Sequence, residues 1–312
     1  MSLQAVEATA NATVANLGVG FDILGMAVQA PCDVVRAERS DIAGVRIAAI
    51  TGDEGKLSRD PKQNTAGIAA AYVLERIRAT EGVVLTVHKG LPLASGLGSS
   101  AASAVAAAVA VNALFGEPLD RAALLAASLE GEAAVSGRHA DNVAPALFGG
   151  ITLVLGTAAE AIYSLPVPTN LYVALATPAI AVPTAQARAV LPQNVPLKAM
   201  VHQTAQVALL IHALYTGDLA LLGAAMERDS VVEPARAHLM RGLAEVRAAA
   251  RACGALGTVI SGAGPTLCSL CDSESVAERV AEAMRGVYAE MNLPTAIRVT
   301  QPALHGATWR AL

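Results

Sequence analysis

The eleven residues Pro92-Leu-Ala-Ser-Gly-Leu-Gly-Ser-Ser-Ala-Ala102 constrain this chain more than any other stretch. They join an apolar, β-branched run, Gly82 to His88, to a long Ala/Val run, Ala101 to Phe115. Two glycines and three serines therefore stand where a strand hands over to a helix. A helix start presents backbone N–H groups without intrahelical acceptors and the positive end of a dipole, so it attracts anions. Gly96 and Gly98 let backbone approach a phosphate with no side chain in the way. Ser99 and Ser100 can cap the helix, bind phosphate oxygens or reach a metal ion. The loop reads as a nucleotide-phosphate site.

The rest of the chain narrows the alternatives. Its 312 residues can bury a large core and suggest two domains. With 54% hydrophobic and only 15% charged residues it is not disordered. The Ala101–Phe115 run contains Ser103 and Asn112 and is short for a membrane span, so it reads as a buried helix. A net charge of −4, no basic block and 3% aromatic residues argue against nucleic-acid binding. The first residues carry Glu7 and Asn11 and no basic segment, unlike a signal peptide. Cys268 and Cys271 have redox-motif spacing, but they lie in an apolar run that reads as a strand, where residues three apart point to opposite faces. A reduced, cytoplasmic chain is expected.

The pattern predicts strands at 3–10, 27–37, 45–50, 83–88 and 151–155, with helices at 64–78, 99–115, 120–134 and from 141 to 147. Pro166 and Pro168 mark a patternless segment, and a junction there divides the chain into domains 1–160 and 161–312. The second half predicts strands at 171–177, 258–261, 266–271 and 296–300. Its helices are expected from Pro183 and at 197–215, 217–229, 236–253 and 273–291. Segregated strands and helices make this an α+β chain rather than a doubly wound sheet.

Three further clusters accompany the loop. Asn11-Ala-Thr-Val-Ala-Asn16-Leu-Gly-Val-Gly-Phe-Asp22 is a polar, glycine-rich turn after the first strand. It reads either as an ordinary turn or as a substrate wall with Asn16 and Asp22 facing a cleft. Glu130 and Glu132, then Arg138, His139, Asp141 and Asn142, lie between strongly apolar stretches. Glu132 could complete a Mg²⁺ shell with a serine hydroxyl and phosphate oxygens. Ser261-Gly-Ala-Gly264-Pro-Thr266 is a second glycine turn, either a plain hairpin or a wall of the same phosphate site. Arg188 and Arg236 each follow a helix-start proline, Pro183 and Pro234, and a pair of guanidinium forks suits a carboxylate.

Together these residues resemble the galactokinase, homoserine kinase, mevalonate kinase and phosphomevalonate kinase (GHMP) superfamily. Asn11–Asp22, Leu91–Ala102 and Ser261–Leu270 look like its three motifs, in the expected order. Asn16–Asp22, His139–Pro145, Pro183-Thr184 through Arg188 and Glu233–Arg236 are similar to the homoserine kinase branch in particular. The resemblance implies a two-domain α+β fold. Its N-terminal part would be like domain 2 of ribosomal protein S5, and its C-terminal part a ferredoxin-like α/β sandwich. It implies ATP-dependent phosphorylation of the side-chain hydroxyl of L-homoserine, in threonine biosynthesis.

Carried over residue by residue, Asn16 would contact the reactive hydroxyl. Asp22, His139 and Asn142 would hold the amino end and backbone, and Thr184, Arg188 and Arg236 would surround the carboxylate. ATP would lie against Asn64, Lys89, Pro92, Leu93, Ala94, Ser95, Gly96, Leu97, Gly98, Ser99, Ser100, Ala101, Ala102, Gly262 and Gly264. Mg²⁺ would take Ser100 and Glu132, although Ser136-Gly-Arg-His139 is one residue shorter than in the family and leaves Glu130 as the alternative. A homodimer is left open. With Asp22 assigned to the ammonium, no acid in a matching motif is left to serve as base, so direct attack of the hydroxyl is expected. Two other readings stand beside this one: a related kinase, for mevalonate or diphosphocytidyl-methylerythritol, and a non-catalytic protein that keeps the fold.

Overall fold

The structure is a computed structural model that describes residues 3–135 and 137–312. Ser136, part of the Ser-Gly register behind the preference for Glu132, lies outside the described residues, as do Met1 and Ser2. The first part of the chain runs β1 (Ala5–Ala15), β2 (Leu24–Ser40), β3 (Val45–Thr51), α1 (Thr65–Arg76), β4 (Gly82–His88), α2 (Ser99–Leu114), α3 (Arg121–Ala133), α4 (Ala140–Phe148), β5 (Ile151–Val154) and β6 (Ile162–Leu165). The second runs β7 (Tyr172–Pro178), α5 (Thr184–Ala189), α6 (Leu197–Thr216), α7 (Leu219–Met226), α8 (Val232–Arg236), α9 (Leu243–Ala252), β8 (Gly257–Ile260), β9 (Leu267–Cys271), α10 (Glu274–Glu290), β10 (Thr295–Thr300) and β11 (Thr308–Ala311).

Two sheets result. The first has the order β11-β1-β2-β4-β3, with β5 and β6 added beside β2. Among the described residues only β3 and β4 pair in parallel within it, joined through α1. β1 alternates as a half-buried strand should, sending Val6, Ala8, Ala10 and Ala12 into the core. Against this face lies α2, buried at every residue from Ser99 to Leu114 except Ser100. A helix apolar all round belongs in a core, and its many alanines let α1, α3, β1 and β2 pack close to it. The second sheet, β10-β7-β9-β8, is antiparallel throughout. One face packs Ala174, Ala176 and Leu267 on Val280, Met284 and Tyr288 of α10, and the other joins Leu175 and Leu270 to the larger core under α2.

Two strands escaped the sequence pattern, and both belong to the first sheet. β6 has four residues in a proline-flanked segment, too few for a period to register. β11 is exposed along its length and pairs with β1 as an edge. A division at residue 160 therefore leaves β6 and β11 on the far side from the sheet they join. The expected helix 236–253 is broken, because Gly242 adopts φ 76° and restarts the chain as α9. Cys268 and Cys271 do face opposite sides of β9, each in a different core cluster. Among the described residues no helix is long and apolar enough to cross a membrane.

Candidate active site

The three glycine-rich segments meet at the seam between the two sheets, and they interlock through backbone. Thr13 N–H donates to Leu97 O at 3.1 Å, Thr266 N–H to Ser95 O at 3.1 Å and Gly262 N–H to Ala15 O at 3.2 Å. Ser261 Oγ donates to Gly96 O at 2.7 Å. Neighbouring segments thus take the loop carbonyls. The helix start beyond them keeps its N–H groups for an anion, since the first intrahelical bond is Ala102 N–H to Gly98 O. No side chain caps that end: its cap is Gly98, at φ 67°. A Cβ on Gly98 would lie 2.0 Å from Thr13 Oγ1, and one on Gly96 would lie 2.3 Å from Ser261 O.

A cavity of about 400 Å³ opens at this seam. Its phosphate-loop end is lined by Leu93, Ala94, Ser95, Gly96, Gly98, Ser99 and Ser100, with Asn64 and Lys89 beside them. Leu97, Ala101, Ala102 and Gly264 do not line it, and Pro92 faces a separate hollow. The reason is helical geometry: Ala101 and Ala102 turn their methyl groups into the core, as does Leu97. Asn64 is occupied as the cap of α1, its Oδ1 accepting from Ala66 N–H at 3.0 Å.

Ser100 Oγ donates to Glu132 Oε2 at 2.6 Å. Glu132 is buried and lines the cavity, whereas Glu130 pairs with Arg138 on the surface. A hydroxyl and a buried carboxylate beside a helix start are the hard oxygen donors Mg²⁺ prefers alongside phosphate.

The other end of the cavity is lined by Asn16, Asp22, His139, Asn142, Thr184, Arg188, Arg236 and Gly262. The turn after β1 holds Asn16, Leu17 and Asp22 at φ 72°, 45° and 61°, a concentration of left-handed non-glycine backbone that packing has to enforce. Asn16 fastens it, with Nδ2 donating to Gly262 O at 3.0 Å and Oδ1 accepting from Asp22 N–H at 3.1 Å. Arg188 grips Asp22 with both Nη atoms, at 3.0 and 2.7 Å. His139 Nδ1 stands 3.6 Å from the same carboxylate, and burial first, then Arg188, holds its pKa below the usual value. Arg236 is buried, donating Nε to Ala187 O and Nη1 to Gly262 O, both at 3.0 Å. Both guanidinium groups lie over the ring of Phe21, at 5.4 Å from its centre for Arg188 and 5.1 Å for Arg236. Asn142 Oδ1 accepts from Thr13 Oγ1 at 2.7 Å.

Sequence reasoning passed over two lining features. Phe21 carries no polar signal, and its place beside two arginines depends on α5 and α8 reaching the turn. Asp141 has no sequence signal that separates it from the polar residues around it. It is buried in the cavity wall with Oδ1 unpartnered, and burial, followed by the charge of Asp22, pushes its pKa up to about 7.

Two family patterns match separate parts of the chain. Residues 64–150 match the family pattern "GHMP kinases N terminal domain" and residues 210–290 match "GHMP kinases C terminal". The chain is 40% identical to a homoserine kinase of Chlorobium phaeobacteroides, over 98% of this chain and 99% of that one. It is 46% identical to the homoserine kinase of Arabidopsis thaliana, over 89% and 77% of the two chains. Among solved structures, the homoserine kinase from Cytophaga hutchinsonii superposes with a TM-score of 0.94 at 40% identity, covering 98% of each chain. Leishmania major mevalonate kinase, at 19% identity and a TM-score of 0.74 over 94% and 95% of the chains, shares the fold.

Proposed function

The chain belongs to the GHMP kinase family, and we propose that it transfers the γ-phosphoryl group of ATP to the side-chain hydroxyl of L-homoserine, a step of threonine biosynthesis in the cytoplasm. One observation carries the choice of acceptor: a single cavity joins an uncapped helix start to a pocket with a carboxylate and two guanidinium groups. The first end suits a triphosphate. The second suits a small molecule with both charges, an amino acid, and the curated relatives named above are homoserine kinases.

In this reading the N–H groups of Ser99 and Ser100 and the dipole of α2 draw the β- and γ-phosphates. Ser100 and Glu132 would hold Mg²⁺, which supplies charge neutralisation on the phosphate oxygens. Asn16 keeps one N–H beyond its bond to Gly262 O, and that hydrogen would orient the acceptor hydroxyl. Asp22, with His139 and Asn142 beside it, receives the ammonium. Thr184, Arg188 and Arg236 surround the carboxylate. Phosphoryl transfer depends mainly on positioning and charge stabilisation, so the hydroxyl attacks directly and loses its proton late. The test is ATP turnover by the purified chain, read by coupled ADP detection, with L-homoserine, L-serine, L-threonine and mevalonate. Turnover with homoserine well above the others is expected. Preference for mevalonate would favour the related-kinase reading, and no turnover with any acceptor the non-catalytic one.

A further inference from the structure

The pocket assigned to the amino acid is closed on itself. Asp22 follows β1 and Arg188 ends α5, 166 residues apart, yet they form a two-bond ion pair across the cavity. Neither member is a buried structural charge: their side chains keep 28% and 30% of their exposure. Asp22 is the fixed member, held at φ 61° with its N–H on Asn16 Oδ1. Arg188 is the adaptable one. It reaches Asp22 with both Nη atoms and leaves Nε buried without a partner. A guanidinium that used its Nε and one Nη for an incoming carboxylate would satisfy that atom.

We propose that the Asp22–Arg188 pair stands in for the substrate and is split by it. The ammonium of a zwitterionic amino acid takes Asp22, its carboxylate takes Arg188, and the pair thereby excludes hydroxy acids that lack the amino group. This rests on the homoserine kinase reading above. The charge balance makes the argument. Before binding, the pocket's second guanidinium, Arg236, is committed to Ala187 O and Gly262 O, while Asp22 faces Arg188. After a zwitterion binds, each has a new opposite charge and nothing is stranded. A hydroxy acid without an ammonium would claim Arg188 and leave Asp22 alone. The neighbours do not replace Arg188 at Asp22: Arg236 gives its hydrogen bonds to Ala187 O and Gly262 O, His139 is held toward its neutral form, and Asp141 is a second acid with its own unpartnered oxygen. Separating a half-buried pair while leaving one charge unmatched is the arrangement proteins avoid. Discrimination then arises from the enzyme's own acid and not from shape.

Calorimetric titration of the full chain, with Mg²⁺ and a non-hydrolysable ATP analogue present, compares L-homoserine with 4-hydroxybutanoate, its analogue without the amino group. The wild type should bind homoserine and discriminate against 4-hydroxybutanoate. Asp22→Asn, which frees Arg188, should weaken homoserine at least tenfold and tighten 4-hydroxybutanoate at least tenfold over wild type. Adding Arg188→Met to Asp22→Asn should abolish that gain, and unchanged binding of the ATP analogue marks the variants as folded. Loss of homoserine without any gain for 4-hydroxybutanoate overturns the exchange and leaves the homoserine reading intact. A wild type that binds no homoserine overturns both.

Discussion

The ammonium of Lys89 is paired with the carboxylate of Asp33 where solvent reaches neither side chain. Lys89 Nζ also donates to Ser99 O at 2.7 Å and Ser103 Oγ at 2.8 Å, which uses its full donor capacity. Asp33 Oδ1 accepts from Gly90 and Leu91 N–H at 3.0 and 3.1 Å. The pair therefore ties β2, the end of β4, the start of the glycine loop and α2 together directly behind the cavity. Burial pushes the Lys89 pKa down, and Asp33 opposes that push.

Removing one partner strands the other. Lys89→Met should lower unfolding free energy by about 3–5 kcal/mol, because Asp33 stays buried without its counter-charge. Asp33→Asn together with Lys89→Met should recover part of that loss. Urea unfolding of the three proteins checks it: equal losses in single and double variants would show that the ion pair is not what holds this region.

The loop glycines should respond according to what surrounds them. Gly96→Ala brings a Cβ within 2.3 Å of Ser261 O at φ 79°, so the loop and the Ser261 turn must separate. We expect ATP KM to rise more than tenfold and stability to fall by about 1–3 kcal/mol. Gly44→Ala is the control. Its φ of 93° is also left-handed, but its Cβ meets nothing within 4 Å. Only backbone strain of about 1–2 kcal/mol should appear, with ATP KM unchanged. Steady-state kinetics and thermal unfolding of both variants separate crowding from strain.

The glycine-serine turn ahead of α2 was legible because glycine and serine at a strand-to-helix boundary have few other uses. The opposite facing of Cys268 and Cys271 followed from the two-residue period of a strand. Asp33 was not legible, because an acid in an apolar strand declares itself only when its partner Lys89 is known to sit across the sheet. The Asp22–Arg188 pair was hidden for a related reason. Both residues were read as groups for a ligand, and nothing local tells a residue awaiting a ligand that another residue meets it first. Contacts across 56 or 166 residues are set by topology, which short-range patterns do not encode.

Glu132 and Ser100 form the donor set that fits a divalent cation. Glu132→Gln keeps a hydrogen-bonding group of the same size and removes the charge. Its kcat should fall about 10²–10³-fold, by analogy with loss of a preorganised electrostatic group. The Mg²⁺ concentration for half-maximal rate should rise as well. Glu130→Gln, on the surface beside Arg138, should leave both quantities within twofold. A magnesium titration of the three proteins decides between the two glutamates, and a larger loss in Glu130→Gln would reverse the assignment.

Asp141 gives a pH prediction whose sign is fixed by its surroundings. Burial, then Asp22, raises its pKa from 3.8 to about 7 in the folded chain. Between those values the folded chain holds a proton that the unfolded chain has released, so stability falls as pH rises from about 4 to about 7 and is level above. Asp141→Asn keeps the shape and removes the titration. The variant and wild type should be similarly stable near pH 4.5. By pH 8 the variant should be the more stable, by about 2–4 kcal/mol at the ordinary value of one pKa unit. Urea unfolding of the unliganded proteins at both pH values measures this. If Asp141→Asn were destabilised equally at pH 4.5 and pH 8, its carboxyl would be held by a partner bond rather than titrating in the buried cavity wall.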